Sequence, residues 1–456
     1  MERNLTQGRI PGTVLSFALP FLFSGLLQML YGMADLAMIG VYGAVSDTTA
    51  VACGSQVMHV LTVLITALST GATVLIARRT GEHDRAGALR VTGIALTAYT
   101  ALSLFLALLL LPLAPMLTRL LQTPQQAVRG TVVYLSICFA GIPFITLYNI
   151  IAALMRGFGD TRTPLMFIGI ACIANIVLDF LFMGMMHMGT AGAALGTCLS
   201  QLVGDLAALF LIRKQKRMPL TREHFSWNAG AWKTCREMLR TGGPVALHDG
   251  FIQVSFLMIT VFANQRGVTD AAAVGIVEKL IGFFFLVPSS MLSTTTAVCA
   301  QNLGAGKPRR ALQVLRCAAL MALSAGIFWS LICQWIPDIP LGWFTRDRDV
   351  IRAGSGYLRG YIWDSALAGV HFAFSGYFCA SGHALYSFVH NAFSMALVRL
   401  PVAYYASHHI MDTLLPMGLA STLGSLFSVI VCGILLIHTL RREKTEETNA
   451  ENSALQ

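Results

Sequence analysis

Two aspartates, Asp35 and Asp179, sit inside long apolar runs of this chain. A charged side chain at the centre of a bilayer costs about 2.5 kcal/mol or more, so such a residue is rare without a task. Asn175 lies four residues before Asp179, on the same helical face, and Thr197 stands in the next apolar run. Laid across a membrane, the runs place all four side chains in the outer half, at about one depth. Oxygen donors suit hard cations. Two neighbouring carboxylates also favour retention of a proton on one of them. The four residues therefore form a candidate cation or proton site. The competing reading is a set of separate helix–helix hydrogen bonds.

Three more acids lie within or near apolar runs of the second half: Asp249, Glu278 and Asp364. Asp364 has two readings, neutralisation of Arg399 or a direct role in substrate or ion binding. Glu278 and Lys279 fall near an outer helix end, where long side chains reach the interface, and Glu278 is with Asp364 and Asp249 a candidate member of a carboxyl-lobe substrate or ion site. Asp249 falls in an inner half, beside His248. His248 and His371 read as hydrogen-bonded structural residues, and Asp205 as a partner for basic residues such as Arg213. Pro20 is 15 residues before Asp35, about 22 Å along an ideal helix. It removes one backbone hydrogen bond and is expected to be either a hinge or a static kink.

The elements that carry these residues follow from composition. Of 456 residues, 55% are hydrophobic and only 12% charged, where a soluble domain has about 25% charged. Mean hydropathy is +0.66. Twelve apolar segments are long enough to span a bilayer, which takes about 20 residues: 13–40, 50–77, 91–113, 131–153, 164–186, 190–212, 240–263, 272–300, 312–335, 355–379, 387–409 and 415–440. Alternating ten-residue segments of a β-barrel are absent. The fold class is an all-α membrane protein with twelve transmembrane helices. No cleavable signal peptide is expected, because the first apolar run is already a full span. The ten cysteines form no C-x-x-C pair or zinc spacing and read as small hydrophobes.

The net charge of +10 comes from residues that flank spans, so topology, and not a nucleic acid, explains it. With both termini cytoplasmic, 23 of the 32 Lys and Arg fall inside and six outside, while Lys279, Arg359 and Arg399 fall within spans.

The chain also repeats. Tyr134-Leu135 and Tyr357-Leu358 are 357 − 134 = 223 residues apart, as are Gly159 and Gly382, and Ala77–Gly81 and Ala300–Gly304. Pro20 and Pro244 are 224 apart. A repeat of six spans keeps its orientation, which predicts two six-helix bundles related by a pseudo-twofold axis along the membrane normal. The expected divisions are an amino-terminal lobe over 1–212, a cytoplasmic linker over 213–239, a carboxyl-terminal lobe over 240–440 and a polar, disordered tail over 441–456.

Several motifs then resemble one family, the multidrug and toxic compound extrusion (MATE) transporters. Met33-Ala-Asp35-Leu-Ala-Met-Ile-Gly40 is similar to its first-helix motif. Tyr148-Asn149 followed by Arg156-Gly-Phe-Gly-Asp-Thr-Arg-Thr-Pro164 resembles its fourth-to-fifth connection. Asn175-Ile-Val-Leu-Asp179 resembles its fifth helix, and Gln301-Asn-Leu-Gly-Ala-Gly-Lys307 the end of its eighth. The resemblance covers nearly the whole chain. It implies a cation-coupled antiporter that exports organic, often cationic, compounds by alternating access. It implies that Asp35, Asn175, Asp179 and Thr197 form the amino-lobe site for H⁺ or Na⁺, and that Pro20 bends the first helix. It also makes Asp364 and Asp249, on helices ten and seven, candidates for a carboxyl-lobe site, although Leu-His-Asp-Gly around Asp249 departs from the pattern. The implied partners are small organic substrates and the bilayer. The chain is expected to be a monomer in a bacterial-type inner membrane, with no cofactor beyond the coupling ion and no enzymatic activity.

Other classes fit less well. A lipid-linked oligosaccharide flippase shares the architecture but needs cations for pyrophosphate, and here the buried balance is acidic. A major-facilitator transporter carries a different motif after its second helix. Gly81-Glu-His-Asp84-Arg85-Ala-Gly87 spaces its aspartate wrongly and lacks the following basic pair.

Overall fold

The computed structural model describes residues 5–215 and 218–454, and side chains as far as Arg442. Among these residues the chain is helical with no strand. Apolar segments in lipid leave the backbone no other open solution, since every N–H and C=O must pair within the segment. Among the described residues nine helices are long and apolar enough to cross a membrane: Ile10–Tyr42, Val45–Gly81, Arg85–Leu110, Arg162–Met185, Gly189–Gln215, Ala229–Arg266, Val268–Gly304, Pro308–Trp335 and Leu415–Arg442. A tenth span consists of Gln125–Ala140 and Ile142–Gly157, bent by 52°. Pro143 opens its second piece, where a missing N–H is harmless.

The other two spans are interrupted. Arg348–Tyr361 and Trp363–Ser381 make one. Ala384–Ser394, a π turn over Met395–Arg399 and Leu400–His409 make the other. We number the twelve spans α1 to α12 in chain order. The expected twelve-helix fold is present. Its helices overrun the apolar limits where nothing stops them. α7 starts at Ala229, inside the stretch expected as linker. α12 continues to Ala454, so the tail expected to be disordered is helical. That tail contains neither Gly nor Pro to end the helix. Of the basic tally, Arg3, Lys216 and Arg217 lie outside the described residues.

The chain divides into two compact units, Met1–Gly250 with Thr296–Val314, and Phe251–Thr295 with Leu315–Gln456. The first holds two hydrophobic clusters, one around Tyr148, Leu154 and Phe167, the other around Tyr134, Phe139 and Met183. The second packs around Tyr357, Tyr361, Val277 and Met417. Outside these clusters, large apolar side chains stay uncovered along helix faces. Leu104 and Leu108, one turn apart on α3, are 51% and 74% exposed, as lipid-facing residues would be.

The repeat has a structural counterpart. Tyr134 and Tyr357 are both buried. Gly159 and Gly382 both take left-handed backbone, φ +83° and +88°, and turn the chain after α4 and α10. Only glycine enters that region without strain. Asp160 follows at once and accepts from the backbone N–H groups of Arg162 and Thr163 at 3.0 and 3.2 Å, capping α5. The Arg156–Pro164 motif is thus a stop, a turn and a start.

Within the first unit the repeat-equivalent ends of α2 and α8 cross backbone to backbone. A Cβ at Gly81 would strike the main chain of Gln301, and one at Gly304 that of Arg78. Arg78 and Gln301 are repeat equivalents, as are Gly81 and Gly304, 301 − 78 = 304 − 81 = 223, so the two contacts are reciprocal. The segment preceding α1 lies over this crossing. Asn302 Nδ2 donates to Leu5 O at 3.3 Å, Lys307 Nζ to Thr6 O at 3.1 Å, and Arg310 Nη2 to the carbonyls of Gln7 and Gly8 at 2.9 and 2.8 Å. The segment preceding α7 is held in a matching way, with Arg90 of α3 donating to Asn228 Oδ1 at 2.9 Å. Replacing Lys307 and Arg310 together by Met is expected to speed amide exchange over residues 5–8 roughly tenfold or more, on the scale of one charged hydrogen bond. Unchanged exchange, read by mass spectrometry, would show that apolar burial of Leu5 alone holds the strap.

Candidate functional site

α1, α5 and α6 carry the first site, all within the first unit. The sequence lets α5 and α6 approach closely. α6 opens Gly-Thr-Ala-Gly-Ala-Ala-Leu-Gly, and small residues allow helix backbones to pack tightly in lipid. At Gly196 a Cβ would collide with Asp179 Oδ1. That glycine is therefore what admits the Asp179 carboxylate against α6. Immediately after Asp179 the α-helix gives way to a π turn, Phe180–Met185, a distortion that often marks functional positions.

The four expected residues do come together. Thr197 Oγ1 donates to Asp35 Oδ2 at 3.2 Å. Asp179 and Asn175 are in polar contact with the same Asp35 carboxylate. Asp35 is 8% exposed, Asn175 1% and Asp179 0%, so water does not solvate them. Even so, Asp35 Oδ1, both Asp179 oxygens and both Asn175 amide atoms complete no hydrogen bond of good geometry. Buried polar groups are normally satisfied. Unsatisfied oxygens converging from two helices, with the Thr197 hydroxyl of a third beside them, are the arrangement that a proton or small cation would complete. Among the described residues no three His, Cys, Asp or Glu side chains gather for a metal. Two carboxylates with an amide and a hydroxyl instead suit a monovalent hard ion or a proton.

Sequence reading missed two neighbours. Tyr31 is in polar contact with Gln201 and lies near Asp35. Each lies four residues from a recognised member, Tyr31 from Asp35 and Gln201 from Thr197. The i, i+4 spacing was the available signal. Asp205 also departs from expectation. It is 1% exposed, and neither carboxylate oxygen has a hydrogen-bond partner. Arg213 is exposed and two helical turns away, about 12 Å along the axis, and does not pair with it.

The second unit holds a separate polar cluster around Arg399, at the end of the π turn in α11. Arg399 Nη2 donates to Tyr361 Oη at 2.9 Å. Its guanidinium lies over the rings of Phe256 and Tyr361, 5.0 and 5.7 Å from their centroids. Asp364 and Glu278 both act on it through charge, yet no direct ion pair joins either to it among the described residues. The pairing with Arg399, one of the two readings of Asp364, is thus not a salt bridge among the described residues. Glu278 turns inward instead of reaching the interface, and accepts from Thr260 Oγ1 at 3.4 Å. Asp249 does not join this cluster: it meets His248 Nδ1 at 2.9 Å and belongs to the first unit. His371 Nε2 meets Ser425 Oγ at 3.2 Å, and Ser425 in turn contacts Asp364. A small pocket is lined by Asp364, His371, Asn391, Ser421, Ser425 and Arg399 among others.

A polytopic helical bundle with paired carboxylates buried in its spans is the architecture of a membrane transporter. The profile of the MatE family matches residues 20–181 and again 244–405, two stretches offset by 244 − 20 = 224 residues. The chain belongs to the MATE family of membrane transporters. It is 28% identical over 417 residues to the probable multidrug resistance protein NorM of Thermotoga maritima, covering 86% of this chain and 84% of that one. It is 26% identical over 398 residues to the probable multidrug resistance protein YpnP of Bacillus subtilis, covering 87% and 88%. Its fold matches a crystal structure of MATE in complex with MaL6, with a TM-score of 0.89, 21% identity and coverage of 96% and 99%.

Proposed function

We propose that this chain is a cation-coupled antiporter that exports organic, often cationic, compounds by alternating access. The observation that carries the reading is the convergence of Asp35, Asp179, Asn175 and Thr197, with oxygens left for a small cation to complete. The names of the bacterial relatives support drug-like cargo. Exchange requires that the ion bind one facing state better than the other. A site built from three separate helices provides that difference if any one helix moves. Pro20 supports such movement in α1, because its ring leaves one rung of the helix ladder unmade. Ser24 Oγ donates to Pro20 O at 2.8 Å, one turn further along the same helix. In the second unit, Asp364, Glu278 and Arg399 offer a further place for charged substrate or ion.

The protein acts as a monomer with both termini on the cytoplasmic side of an inner membrane, and the coupling ion is H⁺ or Na⁺. Proteoliposomes loaded with a fluorescent organic cation test the reading. A pH gradient or a Na⁺ gradient, imposed separately, should drive export, and failure of both would sink it. The orientation has its own test. A cysteine placed at exposed Trp227 should resist an impermeant thiol reagent in intact cells and react after the membrane is opened. Equal labelling before and after opening would reverse the topology.

A further inference from the structure

The buried carboxylate of Asp205 has no role in the site just described, and its surroundings suggest one. Thr197, Gln201 and Asp205 lie at i, i+4 and i+8 on α6, hence on one face. Gln28, Tyr31 and Asp35 line one face of α1 in the same way. The two faces meet. Thr197 donates to Asp35, and Tyr31 contacts Gln201. One step further along, Gln28 contacts Tyr148 of α4, and Tyr148 lies near Asp205. The Tyr148 ring lies against Gly204, where a Cβ would touch it at 2.8 Å. Polar side chains thus run in file from the Asp35–Asp179 pair to Asp205, about 12 Å along α6 from Thr197, toward the end of α6 that carries Arg213 and Lys214.

We propose that Asp205 is a second station for the coupling cation, between the Asp35–Asp179 pair and that basic end of the bundle. The inference rests on the antiport reading above. A carboxyl group with both oxygens buried and no donor is retained only by holding a proton or a cation. For a proton, an O–H bond breaks at the outer pair as one forms at Asp205, which then releases the proton to water at the basic end. For Na⁺, oxygen ligands exchange and no covalent bond changes. Tyr31, Gln201, Gln28 and Tyr148 supply polar atoms along the way. Tyr148 is an ionisable group near Asp205 on a neighbouring helix.

The test uses the intact chain in liposomes, with a fluorescent organic cation as cargo. Two rates are measured: efflux driven by an H⁺ or Na⁺ gradient, and exchange of cargo for cargo, which moves no net ion. Asp205→Asn should cut driven efflux by about tenfold or more, the scale of losing a positioned proton-transfer group, while exchange stays close to the parent rate. Asp205→Glu should recover much of the driven rate. Driven efflux undiminished in Asp205→Asn overturns the station. So does a joint fall of both rates that Glu does not relieve, because that marks a packing role. A parent protein that neither gradient drives overturns the antiport reading itself, an outcome visible before any variant is compared.

Discussion

Asn at either Asp35 or Asp179 is expected to abolish ion-driven efflux, and the double variant should be no worse than either single one. The two carboxylates belong to one site: Asp179 contacts the Asp35 carboxylate, and Thr197 holds one of its oxygens at 3.2 Å. Interacting acids titrate as a pair, so removing one changes the chemistry of both. Residues in one network show strongly non-additive effects. Folding should survive, because Asn keeps the shape and replaces a buried acid whose hydrogen bonding is already incomplete. Efflux from liposomes under each gradient provides the measurement. Partial efflux in both single variants, with losses that multiply in the double, would mean that the acids act independently.

Arg399→Met should destabilise the protein more than any acid substitution in the second unit. Arg399 is 7% exposed and serves two carboxylates at once, Glu278 and Asp364, while donating to Tyr361. Removing one member of a buried charge cluster leaves the others uncompensated, at a cost of about 3–5 kcal/mol. Thermal unfolding of the purified protein should show the loss directly. Adding Asp364→Asn or Glu278→Gln to Arg399→Met should restore part of it, and the better rescuer identifies the acid that Arg399 chiefly balances. An Arg399→Met protein as stable as the parent would show that the cluster is not held together by charge. Asp364→Asn alone should then weaken transport of cationic cargo more than neutral cargo if Asp364 meets substrate, and equally if it only balances Arg399.

The amino-terminal site was legible in the sequence because its signals are local. A carboxylate in an apolar run stands out by type, and helical periodicity places Asn175 beside Asp179. Depth followed from counting residues along spans of nearly fixed thickness. The twelve spans and the repeat were readable for the same reason, since hydropathy and constant offsets survive without any knowledge of contacts. The structure then assigned what long-range packing alone decides. Glu278 had two readings, an interfacial residue near a span end or a member of a carboxyl-lobe site, and it turns inward toward Arg399, 121 residues later. Asp249 shares its residue type with Asp364 but meets His248, its neighbour in the chain. Asp205 was matched to Arg213 by proximity in sequence, although the two lie too far apart along one rigid helix to meet. Neither π turn had a hydropathy signature, because an extra residue in a turn changes hydrogen bonding and leaves composition unaltered. What the sequence by itself determined is which residues lie in the apolar spans and how far along each span they fall. Which of them face one another depends on helix rotation and close approach, and those are decided by contacts such as Gly196 against Asp179 that no single helix contains.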